Sequence, residues 1–472
     1  MKTETLLYQQ IAVDIQAQIA AKALRPGDKL PSLRLICERY RVSQTTALQA
    51  YYQLEAKSLI ETRPRSGYFV CQTVDRKLAI PAVSAPEGAG GGSLHEVISR
   101  VYGDMGRSTA VPFSMGMPAL ALLPMAKLNK GLVRAMRSLP GSGLEYEQVQ
   151  GNQNLRNQIA RFYGTSGQGM TGEDLVIANG CMEALSLSLM AVTQRGDTIA
   201  VESPVYFGIL QLAQSLGLKV IELPTHAQTG VEVGALKKVL SSEKIHACLL
   251  VANFNNPLGS CMPDEHKKEV VRLIQHYGIP LIEDDIYGEV YFGTERPRSC
   301  RSFDDSGLVL WCSSVSKTLA PGYRVGWVAP GKFKDQVMRL KLYHSISGAT
   351  ITQEVIADFL ETGRYSHHLR GLRQTLHTNS LRYAGAIAEY FPEGVRVSRP
   401  EGGFILWVEL DRRMDTVTLY DRAIRQNISI APGNMFSLQE QYRNCFRLSY
   451  GMPWDKTVET ALKKLGQLIA AG

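Results

Sequence analysis

Apolar positions along the chain change their period once, and that change divides it. From Tyr8 to Ala20 they fall at Ile11, Ile15 and Ile19 with Ala12 beside them, the spacing of one helical face. Arg25-Pro26-Gly27 predicts a turn. Pro31 followed by Ser32, a good N-cap, opens a second helix with Leu33, Ile36, Cys37 and Tyr40 on its apolar side. Arg41-Val42-Ser43 predicts a tight turn, with Ser43 capping a third helix that carries Thr46, Ala47, Ala50, Tyr51 and Leu54. Two short helices so joined form a helix-turn-helix. Leu59–Thr62 and Tyr68–Val70 flank Arg63 to Gly67 and predict a hairpin with a basic tip, completing a winged helix over residues 1–71.

Residues 72–95 contain Pro81, Pro86 and a Gly88–Gly92 cluster with little periodicity, which predicts a flexible linker. A free Gly-rich segment of that length spans roughly 25 Å. From residue 110 the pattern becomes short aliphatic runs alternating with helical stretches: 175–178, 198–201, 220–223, 247–251, 280–283, 309–311 and 325–328. Such runs predict an α/β fold with a mostly parallel sheet covered on both faces, over residues 96–472.

Composition narrows the picture further. The chain has 472 residues, 44% hydrophobic and 20% charged, which fits a folded globular protein. No run approaches the ~18 apolar residues of a membrane span, and the start lacks the basic flank and apolar core of a secretory signal, so no membrane association and a cytoplasmic location are expected. The eight cysteines form no C-x-x-C pair and do not cluster with histidine, which predicts free thiols and no metal site. Of the net charge of +8, half lies in residues 1–70, where ten Lys and Arg face six Asp and Glu. That distribution permits a nucleic-acid-facing head.

In a parallel sheet, ligands bind at the C-terminal ends of the strands, and four polar constellations fall there. Lys317 follows a buried strand among small hydroxyl residues, where a lowered pKa lets an amine form an imine with an aldehyde cofactor; a surface charge is the plainer alternative. Asp284, at another strand end, can hold a pyridine nitrogen protonated, and Tyr287 can hydrogen-bond a ring oxygen; the plainer alternative is a helix N-terminal acid pair. Asn256 in Asn-Pro-Leu-Gly259 offers its amide or simply makes a turn. Asn179-Gly180-Cys181 follows a strand and opens a helix, a phosphate cradle by its backbone N–H groups.

At PGDKLPSLR and VSQTTALQAYYQLEAKSLIETRPRSGYFV the head resembles the winged-helix domain of the GntR family of bacterial regulators, over about residues 6–71. That resemblance implies double-stranded DNA binding through Arg34, Ser43, Gln44, Thr45, Arg63, Arg65 and Gly67. Gln44 and Leu48 stand where arginines often read bases in that family; Gln44 can pair with adenine, whereas Leu48 cannot hydrogen-bond. Packing is the expected role of Leu48 and Tyr51.

The four constellations, in this order, resemble the fold type I aminotransferases over about residues 110–470. The resemblance implies pyridoxal 5'-phosphate joined to Lys317, its ring nitrogen on Asp284 and its ring oxygen on Tyr287 and Asn256. Gly180, Cys181, Ser314 and Arg324 would hold the phosphate, with Tyr146 reaching it from a partner subunit in a homodimer. Tyr206 would stack on the ring, and Arg447 would bind a substrate carboxylate through its fork. A GntR-type head on such a body, with large and small lobes, is the MocR architecture. It implies a transcriptional regulator whose body senses an amino compound, the alternative being an active aminotransferase with secondary DNA binding.

Overall fold

The computed structural model describes every residue except 1–6, 22, 58, 64–65, 72–75, 77, 85–93, 105–109, 165–168 and 440. In the head, α1 (Leu7–Ala20), α2 (Leu33–Tyr40) and α3 (Gln44–Ala56) precede a hairpin of β1 (Ile60–Arg63) and β2 (Gly67–Val70). Ser32 accepts from the Leu35 amide at 3.3 Å and Ser43 from the Thr46 amide at 3.2 Å, so both predicted caps satisfy otherwise unpaired N–H groups. Ile11, Ile15, Ile36, Ala47, Tyr51 and Leu54 close a small core. The hairpin pairs antiparallel, Arg63 opposite Gly67, and Gly67 has a φ of +98°, which a side chain would strain.

All seven aliphatic runs become strands of one eight-stranded sheet. Its order is 176–178, 326–329, 309–314, 281–284, 247–250, 198–203, 219–226 and 230–231. The strand at 326–329 runs antiparallel to both neighbours and the short 230–231 strand antiparallel to 219–226; the other pairings are parallel. These strands are apolar on both faces because helices cover both, and most of their residues are buried. The small lobe is a four-stranded antiparallel sheet, 396–397, 405–409, 445–449 and 431–432, with Arg447 on its third strand. Helix Arg364–Tyr390 runs from the large lobe past the small one.

The segment expected as a flexible linker behaves differently where it is described. The Ala79 carbonyl accepts from the Val397 amide at 2.8 Å, and the Leu78 carbonyl accepts from Arg399 at 2.6 Å. Arg76 donates to the Phe391 carbonyl at 2.7 Å and to the Pro392 carbonyl. Ser84 is buried: its hydroxyl donates to the Ser203 carbonyl at 2.6 Å and accepts from the Thr225 amide at 2.7 Å. Residues 78–84 are therefore a strap on the body. A strap that pairs through its own backbone with residues hundreds of positions away leaves no period to read. The Gly88–Gly92 cluster lies outside the described residues.

Ser84→Ala leaves the buried Thr225 amide without its acceptor, a loss of about 1–3 kcal/mol. Urea unfolding of the body should show a lower midpoint with unchanged slope, and an unchanged midpoint would mean that the strap contributes nothing to stability.

Candidate cofactor site and DNA-facing surface

The strand ends at 178, 251, 284 and 314 surround a cavity of about 160 Å³ lined by Cys181, Tyr206, Asn256, Asp284, Tyr287, Ser316, Lys317 and Arg324, among others. Seven of these are residues singled out from the sequence, and Ser316 joins them. Each arrives for a local reason. Gly180, with φ +89°, turns the chain from strand 176–178 into helix Cys181–Val192, and a Cβ there would fall 2.4 Å from an Arg324 guanidinium nitrogen. Arg324 takes a left-handed conformation and donates to the Asn179 carbonyl at 2.9 Å, which fixes its guanidinium at the helix N-terminus. The helix end and the arginine together favour an anion.

Asp284 is buried at the end of strand 281–284. It accepts from the Ile286 amide at 3.2 Å and from the Cys181 thiol at 3.3 Å. Burial raises its pKa to about 6 in spite of those bonds and the Lys317 charge. Lys317 is pulled the other way. Burial, then the Arg447 charge, lowers its pKa to about 8, and its ammonium donates to the Gly116 carbonyl at 2.6 Å. Its free amine is therefore more populated near neutral pH than that of an ordinary lysine. The Asn256 amide donates to the Tyr287 hydroxyl at 3.2 Å, while its carbonyl oxygen accepts from Arg447 at 2.9 Å. Arg447, itself buried, also donates to the Ser114 carbonyl, so its fork is aimed beside Lys317.

Two expected residues stand elsewhere. The cavity wall carries Ser316, whose buried hydroxyl has no hydrogen-bond partner among the described residues, whereas the Ser314 hydroxyl accepts from the Ser316 amide at 3.1 Å. The sequence reading assigns Ser314 to the phosphate, and the path of the turn puts Ser316 on the wall in its place. Tyr146 is 85% exposed and lines neither cavity of its own chain.

In the head, Ser43, Gln44 and Thr45 lie exposed side by side at the N-terminal turn of α3. Arg34 is also exposed and pairs with Glu38 at 3.2 Å, an ion pair weak enough to exchange for a phosphate. Tyr51 is fully buried and donates to the Pro31 carbonyl at 2.6 Å, the packing role expected of it; Leu48 is half-buried. Arg63 ends β1, and Arg65 lies outside the described residues. Sequence reading missed the contact between head and body. Glu61 in β1 pairs with Arg382 at 3.0 Å, and Glu55 in α3 accepts from Gln374 at 3.5 Å, both partners lying on helix Arg364–Tyr390.

Fold and site together define a winged-helix head on a fold type I aminotransferase-like body. The aminotransferase class I and II family pattern matches residues 122–465, and that of the bacterial regulatory proteins of the gntR family matches residues 7–70. The chain belongs to the MocR-type group that joins the two, and it is an HTH-type transcriptional regulator with an aminotransferase-like domain. It is 39% identical over 462 residues to the uncharacterized HTH-type transcriptional regulator YjiR of Escherichia coli, covering 98% of both chains. It is 36% identical to YdcR of the same organism, again covering 98% of each. Among solved structures, a multiple substrate aminotransferase from Thermococcus profundus superposes with a TM-score of 0.74 at 25% identity, covering 79% of this chain and 94% of that one. LysN, an α-aminoadipate aminotransferase from Thermus thermophilus complexed with N-(5'-phosphopyridoxyl)-L-leucine, gives 0.72 at 25% identity, covering 80% and 99%.

The residues present fit the cofactor this fold implies. The unpartnered Ser316 hydroxyl and the Gly180 cradle beside Arg324 offer an anion site, while Lys317 and Asp284 offer an amine and a carboxylate in the same cavity. The pKa of Lys317 sets a pH dependence. Its capture of a small aldehyde such as pyridoxal, trapped by borohydride and located by mass spectrometry, should speed up with pH and level off above about 8. A rate still climbing through pH 10 would mean that the lysine is not depressed.

Proposed function

We propose that the body holds pyridoxal 5'-phosphate at Lys317 and reads an amino compound there, and that the head carries this state, as a homodimer, to a double-stranded operator. The observation that carries the reading is the convergence of Lys317, Asp284, the Asn256–Tyr287 pair, Arg324 and Ser316 on one cavity, with Arg447 next to it. When bound, the cofactor supplies an aldehyde carbon that exchanges amines and a ring that withdraws electrons. Lys317 supplies the amine that the effector displaces. Asp284 keeps a proton on the ring nitrogen, Asn256 and Tyr287 hold the ring oxygen, and Tyr206 forms the wall against the ring. Gly180, Cys181, Arg324 and Ser316 hold the phosphate, with Ser314 buttressing Ser316. Arg447 takes a carboxylate through its planar fork.

Tyr146 fits the trans role. It and Leu144 are 85% and 90% exposed, free to meet a second copy. Two heads then imply two half-sites. At the head, Arg34 and the hairpin residues Arg63, Arg65 and Gly67 face phosphates or the adjacent groove, and Ser43, Gln44 and Thr45 enter the major groove.

A continuous set of contacts joins the two functions. Asp285, next to Asp284, pairs with Arg296, which pairs with Glu289 at 2.5 Å; Glu289 pairs in turn with Arg373 at 3.0 Å. Arg373 lies on the helix whose Gln374 and Arg382 meet the head. A ligand that binds two arrangements of this set unequally shifts their populations.

Three measurements test the reading. Lys317→Ala should abolish the visible absorbance of the cofactor-loaded protein, and an unchanged spectrum would sink the site. In gel shifts on its own upstream DNA, Arg34→Ala should weaken binding to all sequences with a shallower salt dependence, while Gln44→Ala should cost about 1–3 kcal/mol at one base position only. Wild-type binding by both variants would remove the head assignment. Effector and operator should alter each other's affinity by the same factor, and Arg382→Ala should bring both factors toward one while leaving the amine-induced spectral change in place.

A further inference from the structure

We infer that the effector is an α-amino acid with an uncharged, apolar side chain; this rests on the amine-sensing reading above and goes one step beyond it. Lys317 and Arg447 both open onto a second hollow of about 130 Å³, shared with Tyr206 and Asn256. An α-amino acid with its nitrogen at Lys317 and its carboxylate on Arg447 has one substituent left to place. The wall that remains consists of Val101, Met117, Phe207 and Met435, together with the Met115–Gly116 stretch. Val101, Phe207 and Met435 are buried, and Met115, Gly116 and Met117 are half-buried.

The Ser114 and Asn256 side chains of the hollow are already engaged. The Ser114 hydroxyl bonds to that of Ser429 at 2.6 Å, and Asn256 is held between Tyr287 and Arg447. Among its described lining residues there is no Asp, Glu or His, and no cation beyond Lys317 and Arg447. Among the described residues of the hollow, a second carboxylate on the ligand would meet no further cation, and a second ammonium no acid. An unpaired charge buried against Val101 and Phe207 costs far more than the contact returns. Aliphatic and thioether side chains match this wall, and methionines adapt to their shapes. One methylene in such a pocket is worth about 10–200-fold in discrimination.

The test titrates the full-length, cofactor-loaded protein with leucine, methionine, glutamate and lysine, following the visible absorbance. Leucine and methionine should give half-maximal change at concentrations at least tenfold lower than glutamate or lysine. Met117→Arg should weaken leucine at least tenfold and strengthen glutamate at least tenfold. If that variant does not fold, Val101→Ala should weaken leucine about tenfold and leave alanine unchanged. A response to glutamate or lysine at or below the leucine concentration overturns the inference alone. Silence toward all four overturns the amine-sensing reading and the inference with it.

Discussion

The placement of half-buried Lys317 and buried Asp284 in one cavity is the constraint that the rest of the body serves. Neither charge is stable alone in such a place, and each is shifted toward its neutral form, the lysine down to about 8 and the carboxyl up to about 6. The surroundings hold them there without neutralising them fully. The Gly116 carbonyl takes the ammonium, while Cys181 and the Ile286 amide take the carboxylate. These supports come from three separate segments, and those at Cys181 and Ile286 meet because their strands end at one edge of the sheet. A sheet with both faces covered keeps that edge dry, which gives a few polar groups a large influence.

The same economy operates beyond the cavity. Asp285, one residue from Asp284, is fully buried and receives both Arg296 and the Trp311 indole at 2.8 Å. A carboxylate so placed needs its arginine, the arginine needs Glu289, and Glu289 also takes Arg373 from the long helix. The chain of charges is therefore a packing requirement before it is a signalling route. Its interest for regulation is where it ends, on a helix that also touches the head.

Much of this was legible in the sequence for identifiable reasons. The strands announced themselves because burial on both faces demands unbroken aliphatic runs. The head announced itself because Ser32 and Ser43 must cap their helices. Lys317, Asp284, Asn256 and Gly180 stood out as polar breaks at strand ends. What stayed hidden depends on distance or on fine geometry. Ser316 and Ser314 differ only in the path of one turn. The strap at 78–84 pairs through its backbone with partners hundreds of residues away. The Glu61–Arg382 ion pair joins two surface charges that no local pattern marks out. The walls of the effector hollow are methionines, a valine and a phenylalanine, which in the sequence look like any core residues.

The two attachments of the head differ in strength, and the difference decides which one can move. The Glu61–Arg382 pair is partly exposed and, with the long Glu55–Gln374 contact, is worth about 1 kcal/mol. The strap holds through Arg76 on two carbonyls and through Ser84 between two strands, and hydrogen bonds to a charged group contribute about 1.5–3 kcal/mol each. Effector binding can shift an equilibrium only by its differential affinity, typically 1–3 kcal/mol. That is enough to exchange the head's contacts on the long helix and too little to strip the strap. In the proposed mechanism the effector's work thus falls on the contact at Arg382, while the strap through Ser84 stays in place on the body.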